Sequence, residues 1–186
     1  MIDFEGVTTR GGDGGLSSLA SGRRLSKNEL VFDVLGGIDE LSSWLGLVKA
    51  YLQEKDSFLY SCLEKIQSRL IIAAGQVAEA EYIPDKDRIS NYDVEELEKW
   101  EKWFMERVEL PDHFILPGKN IVSAHADVSR TVCRRLERLF VAYCRDDSST
   151  PLSIVMKYIN RLSDFLFVVA RWLENPSQKD STISTL

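Results

Sequence analysis

Apolar residues recur at steps of three and four along most of the chain, which is the period of one face of an α-helix. The clearest run follows Asn28 and consists of Leu30, Val34, Ile38, Leu41, Leu45, Val48 and Leu52. Comparable runs predict four more helices, over residues 56–82, 92–108, 120–143 and 151–174. We find no alternating pattern of useful length that would indicate a β-strand. Five helices joined by short connections predict an all-α fold, a five-helix bundle.

Proline, glycine and capping residues mark the ends and interruptions of these predicted helices. Pro84 lies in the break after the second helix, and Ser90 suits the N-cap of the third. Pro151 fits the first turn of the fifth helix. Gly36 and Gly37 interrupt the first helix. Each costs about 1 kcal/mol there relative to alanine, so we expect a packing or ligand reason for them.

The first 27 residues differ from the rest, because six of the eleven glycines of the chain lie within residues 1–22. They predict an extended, turn-rich loop ahead of the bundle. The segment contains neither of the two common phosphate-binding motifs, Gly-x-x-x-x-Gly-Lys-[Ser/Thr] and Gly-x-Gly-x-x-Gly. Its glycines still allow backbone N–H groups to approach a phosphate, with Arg10 and Lys27 as countercharges. On composition alone, a flexible terminus and a phosphate-binding loop both stay open.

Length and composition fit one domain over residues 1–186, with the bundle over 28–174 and a polar tail over 175–186. The net charge of −6 argues against a general nucleic-acid binder. No stretch approaches the ~20 apolar residues that span a bilayer, and the acidic start lacks the pattern of a secretion signal. Cys62, Cys133 and Cys144 are widely spaced on helical segments. This predicts reduced core thiols in a cytoplasmic protein rather than disulfides or a zinc site.

Charged residues form stripes on the last two predicted helices, where steps of three and four place them near one face. The first stripe consists of Arg130, Arg134, Glu137 and Arg138. The second consists of Asn160, Asp164, Phe167 and Arg171. Each stripe is either a solvated helix face or the wall of a cleft in which arginines grip phosphate, and spacing alone leaves both open. On the first helix, Asp39 and Glu40 point about 100° apart, so they cannot both serve one acid–base site.

Three parts of the chain resemble the signatures of the PduO-type ATP:cob(I)alamin adenosyltransferases. The first comprises residues 9–15 (TRGGDGG), 25–28 (LSKN) and 36–43 (GGIDELSS). The second comprises residues 114–118 (FILPG) and 129–138 (SRTVCRRLER). The third comprises residues 158–167 (YINRLSDFLF). They follow one another in the family's order and together span nearly the whole chain.

The resemblance implies a five-helix bundle that assembles as a homotrimer, with active sites between subunits. In that family ATP and reduced cobalamin are the substrates, and Mg²⁺ is bound through the ATP phosphates rather than by protein side chains. The cobalt attacks the 5′ carbon of the ribose, so that adenosylcobalamin forms and triphosphate leaves. The implied partners are a flavin reductase and an adenosylcobalamin-dependent enzyme, with no nucleic acid and no membrane.

The resemblance also implies a role for each matched residue. The ATP-binding residues of one subunit are Thr9, Arg10, Gly12, Asp13, Gly15 and Lys27. Those of the neighbouring subunit are Arg134, Glu137, Arg138 and Asn160. The catalytic residues are Arg134, Asp39, Arg130 and Phe114, and Asp39 and Arg130 form an ion pair that shapes the site. The corrinoid-binding residues are Phe114, Asp39 and Phe167; Phe114 crowds the lower face of the corrin, so that Co(II) is easier to reduce.

The chain departs from the family pattern at two positions. Lys119 follows Pro117 and Gly118 where the family commonly has a second glycine, and Asp127 stands where a histidine is common. His125 lies about 200° out of register on the helix and cannot simply replace it. We expect these changes to affect corrinoid binding more than ATP binding. Two other hypotheses are a non-catalytic carrier or regulator that binds ATP or adenosylcobalamin, and a structural bundle with no ligand.

Overall fold

Long α-helices follow the amphipathic runs of the sequence. The computed structural model describes residues 3–52, 56–79, 83–144 and 152–174. Within these ranges the long helices are α2 (Leu30–Leu52), α3 (Ser57–Val77), α4 (Asn91–Met105), α5 (Ile121–Tyr143) and α6 (Ser153–Glu174). They are preceded by a short helix α1 (Phe4–Val7) and the strands β1 (Leu16–Ser18) and β2 (Arg24–Ser26). The predicted five-helix bundle is confirmed, with a small two-stranded sheet added.

Side chains at the helix starts fix where α3 and α4 begin. Asp56 precedes α3 and accepts a hydrogen bond from the backbone N–H of Leu59 at 3.0 Å. Ser90 precedes α4, as predicted, and its backbone N–H donates to the Asp93 carboxylate at 2.8 Å. Such bonds satisfy backbone N–H groups at the helix start that have no partner inside the helix.

The long helices pack side by side in the order α3, α2, α5, α6 and α4, so α5 lies between α2 and α6. The two outer helices, α3 and α4, also meet, because the Phe58 ring lies 4.7 Å from the Trp103 ring. An ion pair between Lys65 and Glu96 at 2.6 Å joins the same two helices. Large side chains fill the core, among them Phe104, Phe140, Tyr158 and Phe165. No helix in the described ranges is long and apolar enough to cross a membrane.

Gly37 has a packing role in the first long helix. A Cβ placed on Gly37 would lie 3.0 Å from Leu136 Cδ1 and 3.5 Å from Leu139 Cδ1, both on α5. The missing side chain therefore lets α2 approach α5 closely. A Cβ on the neighbouring Gly36 would meet no atom within 4 Å. The expected packing reason thus applies to Gly37 and not to Gly36.

Element boundaries differ from the sequence prediction in three places. α3 ends at Val77 rather than near residue 82, and Glu79 just beyond it has a left-handed φ of +59° through which a helix does not continue. α4 ends at Met105, earlier than predicted. The strands were not predicted, because three residues each are too few for an alternating pattern. The predicted helix start at Pro151 and the polar tail over 175–186 lie outside the described residues.

The three cysteines, all within the described residues, are thiols that form no disulfide. Cys62 and Cys133 are buried and Cys144 is partly buried. Burial raises the pKa of the Cys62 thiol to about 12 and also raises the pKa of Cys133. The two buried thiols are therefore protonated core side chains at neutral pH.

Candidate active site

A β-hairpin fixes the second half of the glycine-rich segment to the bundle. β1 and β2 pair antiparallel, with Leu16 opposite Ser26 and Ser18 opposite Arg24. Leu19, in the turn between the strands, is only 4% exposed and belongs to the hydrophobic core. Burial of this side chain anchors the hairpin by the same hydrophobic effect that holds the helices together.

Glu79 ties the same turn to the end of α3. The Ser21 hydroxyl donates to the Glu79 carboxylate at 3.0 Å, and Arg23 forms an ion pair with it at 2.8 Å. The left-handed backbone of Glu79 places this carboxylate where the helix has ended. The hairpin is therefore held by apolar and polar contacts together, and residues 16–26 are not a free terminus.

Lys27, the residue after β2, contacts the glycine-rich turns through its backbone and its side chain. The backbone N–H of Asp13 donates to the Arg10 carbonyl at 3.2 Å, and that of Gly15 to the Gly12 carbonyl at 3.1 Å. The backbone N–H of Lys27 donates to the Gly15 carbonyl at 2.9 Å. The Lys27 side chain lies over Gly12, where an added Cβ would come within 2.8 Å of Nζ. The structure therefore brings three predicted ATP-binding residues together, namely Gly12, Gly15 and Lys27.

Several positively charged side chains lie on the same segment as these turns. The other predicted residues of the loop are exposed: Thr9, Arg10 and Asp13. The Arg24 guanidinium, from β2, donates a hydrogen bond to the Gly11 carbonyl. Arg10, Arg24 and Lys27 thus carry positive charge on the same short segment as the exposed backbone turns. Turns of this kind with nearby cations are suited to bind an anion.

A second group of predicted ATP-binding residues lies on α5 and α6. Asn160 donates to the Glu137 carboxylate at 2.7 Å, so these two predicted residues are in direct contact. Arg161 donates to the Asn160 side-chain oxygen at 3.0 Å, which fixes the orientation of the amide. Arg134 and Arg138 are exposed on α5, and Arg138 donates to the Arg134 carbonyl at 3.0 Å. Among the described residues Arg134 has no ion-pair partner.

A cavity of about 350 Å³ lies between α4, α5 and α6. Three predicted site residues line it: Arg130, Arg134 and Phe167. Two carboxylates also line it, Glu101 from α4 and Asp164 from α6. Burial raises the pKa of Glu101, and the negative charge of Asp164 raises it further. Part of each stripe therefore borders this cavity, namely Arg130 and Arg134 of α5 and Asp164 and Phe167 of α6.

Phe114 is fully exposed on the loop between α4 and α5. His113 and Lys119, on the same loop, line a larger cavity of about 910 Å³ together with Arg171 and Glu174 at the end of α6. Phe114 is not among the described residues that line this cavity. An aromatic ring that its own chain leaves uncovered is suited to contact a ligand or another chain.

The implied ion pair between Asp39 and Arg130 is not formed within one chain. Asp39 is exposed on α2. Arg130 Nε lies instead 3.8 Å from Asp127 Oδ1. The other oxygen of Asp127 accepts a hydrogen bond from Arg171 at 2.6 Å, and both side chains are buried. The position where the family commonly carries histidine thus holds a carboxylate between two arginines.

The two groups of predicted ATP-binding residues are separate within one chain. No hydrogen bond or ion pair between described residues joins the glycine-rich turns to Arg134, Glu137, Arg138 or Asn160. The hairpin that carries the turns is tied to α3, whereas the arginine group borders α4 and α6. Within one chain the described residues therefore form two groups with no hydrogen bond or ion pair between them.

The chain is similar to known proteins over almost all of its length. A family model described as cobalamin adenosyltransferase matches residues 7–173. The chain belongs to this family. The adenosyltransferase is 35% identical to a corrinoid adenosyltransferase of Citrobacter freundii, over 89% of this chain and 93% of that protein. It is also 35% identical to a cobalamin adenosyltransferase of Cupriavidus metallidurans, over 90% of this chain and 87% of that one.

Solved structures show the same fold. A variant of a PduO-type ATP:corrinoid adenosyltransferase from Lactobacillus reuteri, complexed with cobalamin and ATP, superposes with a TM-score of 0.81 at 30% identity. The match covers 93% of this chain and 96% of that one. Family, relatives and structure together identify the activity as that of an ATP:corrinoid adenosyltransferase.

Two features of this adenosyltransferase's site were not predicted from its sequence. Arg24 reaches the Gly11 carbonyl only because the hairpin folds it back, and no motif marks that contact. Asp127 and Arg171 form a pair across 44 residues of sequence. The spacing of Arg171 and Phe167 on one helix face was visible, but the partner on α5 was not.

Proposed function

We propose that this adenosyltransferase transfers the 5′-deoxyadenosyl group of ATP to the cobalt of cob(I)alamin at a site shared by two neighbouring chains of a homotrimer. The observation that supports the proposal is that no hydrogen bond or ion pair among the described residues joins the two groups of predicted ATP-binding residues within one chain. The glycine-rich turns with Lys27 form one half. Arg134, with the bonded pair Glu137 and Asn160, forms the other. A ring of chains would bring the loop of one to the arginines of the next.

In the proposed reaction the protein stabilises the negative charge of the leaving triphosphate and transfers no protons. The cobalt forms a bond to the 5′ carbon, the bond from that carbon to the phosphate oxygen breaks, and triphosphate leaves. No proton is transferred, so no side chain acts as a general base. The leaving group develops negative charge, which preorganised cations and N–H donors stabilise. The cations proposed for this are Arg10, Lys27, Arg134 and Arg138, with Thr9, Gly12, Asp13, Gly15, Glu137 and Asn160 as further contacts.

Mg²⁺ is proposed to bind through the phosphates of ATP. Among the described residues, no group of three or more histidine, cysteine, aspartate or glutamate side chains is arranged to hold a metal ion. Mg²⁺ commonly keeps water and phosphate oxygens as ligands, so it does not need such a group here. When bound, it would neutralise part of the charge on the triphosphate.

The corrinoid half of the proposed site uses the exposed ring of Phe114. An apolar ring at the lower face of the corrin disfavours an axial ligand, and Co(II) without that ligand is easier to reduce. Phe167 shares its cavity with Arg130 and Arg134, which supports its proposed role in corrinoid binding. The proposed pair of Asp39 with Arg130 would then form between chains, because Asp39 is exposed and is not paired with Arg130 within one chain.

Turnover tests the proposal. The purified protein is given ATP, Mg²⁺ and chemically reduced cob(I)alamin, and the cobalt–carbon bond is followed by absorbance. We expect adenosylcobalamin and triphosphate in equal amounts. A protein that binds ATP but forms no cobalt–carbon bond would instead be a carrier or regulator. We include this second function in the test because the chain departs from the family pattern at Lys119 and Asp127.

The enzyme is also proposed to have a cellular location and two protein partners. We propose a single domain over residues 1–186 that acts in the cytoplasm, where thiols such as Cys62 stay reduced. A flavin reductase would supply the electron that converts Co(II) to Co(I). An adenosylcobalamin-dependent enzyme would take the product. Pull-down from a lysate, followed by activity assays with the captured reductase, tests these partners.

A further inference from the structure

A buried carboxylate lies between two arginines where α5 faces α6. Asp127 is 5% exposed and Arg171 is 3% exposed. Arg171 Nη2 lies 2.6 Å from Asp127 Oδ2 and 2.9 Å from the Glu174 carboxylate. Asp127 Oδ1 faces Arg130 Nε at 3.8 Å. One oxygen of the Asp127 carboxylate therefore contacts the buried Arg171, and the other faces Arg130, a residue of the proposed site.

Arg171 is a rigid anchor for this arrangement. Two carboxylates hold its guanidinium, and the group lies 5.4 Å from the centre of the Phe167 ring. Phe167 and Arg130 line the same cavity, so Arg171 supports both through Asp127 and through its contact with the ring. Its Nη2 makes both contacts and holds Oδ2 of the Asp127 carboxylate.

Arg130 is held in a different way from Arg171. A separation of 3.8 Å is too long for a hydrogen bond, and Arg130 Nε is buried without a hydrogen-bond partner among the described residues. The attraction between opposite charges in a poorly solvated setting is nevertheless strong enough to bias the side chain. Asp127 thus directs the guanidinium without accepting a hydrogen bond from Nε.

We propose that Asp127, itself held by Arg171, is a positioning residue that directs Arg130 into the cavity between α4, α5 and α6. This inference rests on the proposed function, which places Arg130 in the site. It assigns a specific task to a position where the chain departs from the family pattern. In this chain a histidine at residue 127 would leave Arg171 without one of its two carboxylate partners.

A double-mutant cycle separates positioning from a merely structural role. The proteins are the wild type, Asp127→Asn, Arg130→Ala and the double variant. We expect Asp127→Asn to lower kcat/KM for cob(I)alamin by about tenfold while KM for ATP changes by less than about twofold. In the Arg130→Ala background the same substitution should change kcat/KM by less than about twofold, because the residue being positioned is absent.

Asp93→Asn is the matched control. Asp93 is 4% exposed and pairs with Arg69 at 2.8 Å, but it lies at the start of α4 outside the proposed site. It should lower the melting temperature as Asp127→Asn does, with unchanged kinetic constants. Asp127→Glu, which keeps the charge, should recover part of the lost activity. If Asp127→Asn fails to fold, Arg171→Lys takes its place in the cycle.

Two results would contradict the positioning role of Asp127. Equal losses from Asp127→Asn in both backgrounds, or an equal kinetic loss from Asp93→Asn, would overturn the inference. A wild-type protein without turnover would refute the proposed function instead. In that case the affinity of the same four proteins for cob(II)alamin, measured by absorbance with ATP present, replaces kcat/KM in the cycle.

Discussion

The Lys27 side chain occupies the space that a side chain at residue 12 would take, since a Cβ on Gly12 would lie 2.8 Å from Nζ and 3.2 Å from Cε. The Lys27 backbone is tied to the Gly15 carbonyl at 2.9 Å, so the side chain starts beside the turns and extends back over them. Gly12 has no left-handed φ, in contrast to Gly15 at +77°. Gly12 is therefore required for the close approach of the ammonium rather than for backbone freedom.

Alanine at residue 12 should weaken ATP binding without unfolding the protein. The added methyl group displaces the flexible end of Lys27, so we expect a loss of affinity of about tenfold and a change in stability within about 0.5 kcal/mol. Gly14→Ala is the control, because a Cβ there would meet no atom within 4 Å. Isothermal titration with ATP and Mg²⁺ measures both variants. Equal affinities for the two would show that Lys27 does not act over Gly12.

Adjacent glycines in α2 should respond in opposite ways to alanine. Gly36→Ala meets no atom within 4 Å and should gain up to about 1 kcal/mol from helix propensity. Gly37→Ala places its Cβ 3.0 Å from Leu136 Cδ1, and overpacking of this kind costs about 1–3 kcal/mol. Urea unfolding measures the difference. Equal stabilities would mean that α5 yields to the methyl group and that Gly37 has no packing role.

The helices were predictable from the sequence because each buries one face. Residues such as Val34, Leu41 and Leu45 recur at the helical period and are fully buried in the structure. The hairpin was not predictable, since its strands are three residues long and it depends on Leu19 reaching the core and on Glu79 at the end of α3. Short elements held by distant contacts leave no periodic signal.

The buried thiols should be unreactive in the folded protein. Burial raises the pKa of Cys62 to about 12, and burial also raises that of Cys133, so at pH 8 neither forms thiolate. We expect a thiol reagent to label both only after unfolding. Because the unfolded thiols ionise first, the free energy of unfolding should fall as pH rises from 9 towards about 12. Rapid labelling of Cys62 in the native protein at pH 8 would contradict its burial.

Removal of the Phe114 ring should affect the reduction step selectively. The ring is fully exposed, so Phe114→Ala removes no packed contact and should leave the melting temperature unchanged. Adenosylation that starts from Co(II) should fall more than adenosylation that starts from pre-reduced Co(I), since only the first requires the axial ligand to be disfavoured. The two assays on one preparation serve as each other's control. An equal loss in both would rule out this role for the ring.

The candidate site was predictable only in part. The resemblance to the adenosyltransferase family grouped Gly12, Gly15 and Lys27, and it also grouped Glu137 with Asn160. The structure brings the members of each group together. Helix spacing allows the contact of Arg130 with Asp127, three residues away on the same helix, but does not decide between Asp127 and Asp39 as its partner. The pair of Asp127 with Arg171 was not predictable, because the two residues lie on different helices and meet only in the packed structure.

The shared site is tested most directly by mixing two inactive variants, Lys27→Ala and Arg134→Ala. Both residues are exposed, so each variant should fold. Each variant alone should lack activity, because every site would miss one half. Co-refolded in equal amounts, the chains should form sites in which an intact loop meets an intact arginine helix. Random assembly in a ring gives about one quarter of the sites this pairing, so we expect about a quarter of wild-type activity. A mixture as inactive as its components would show that both halves of the site belong to one chain.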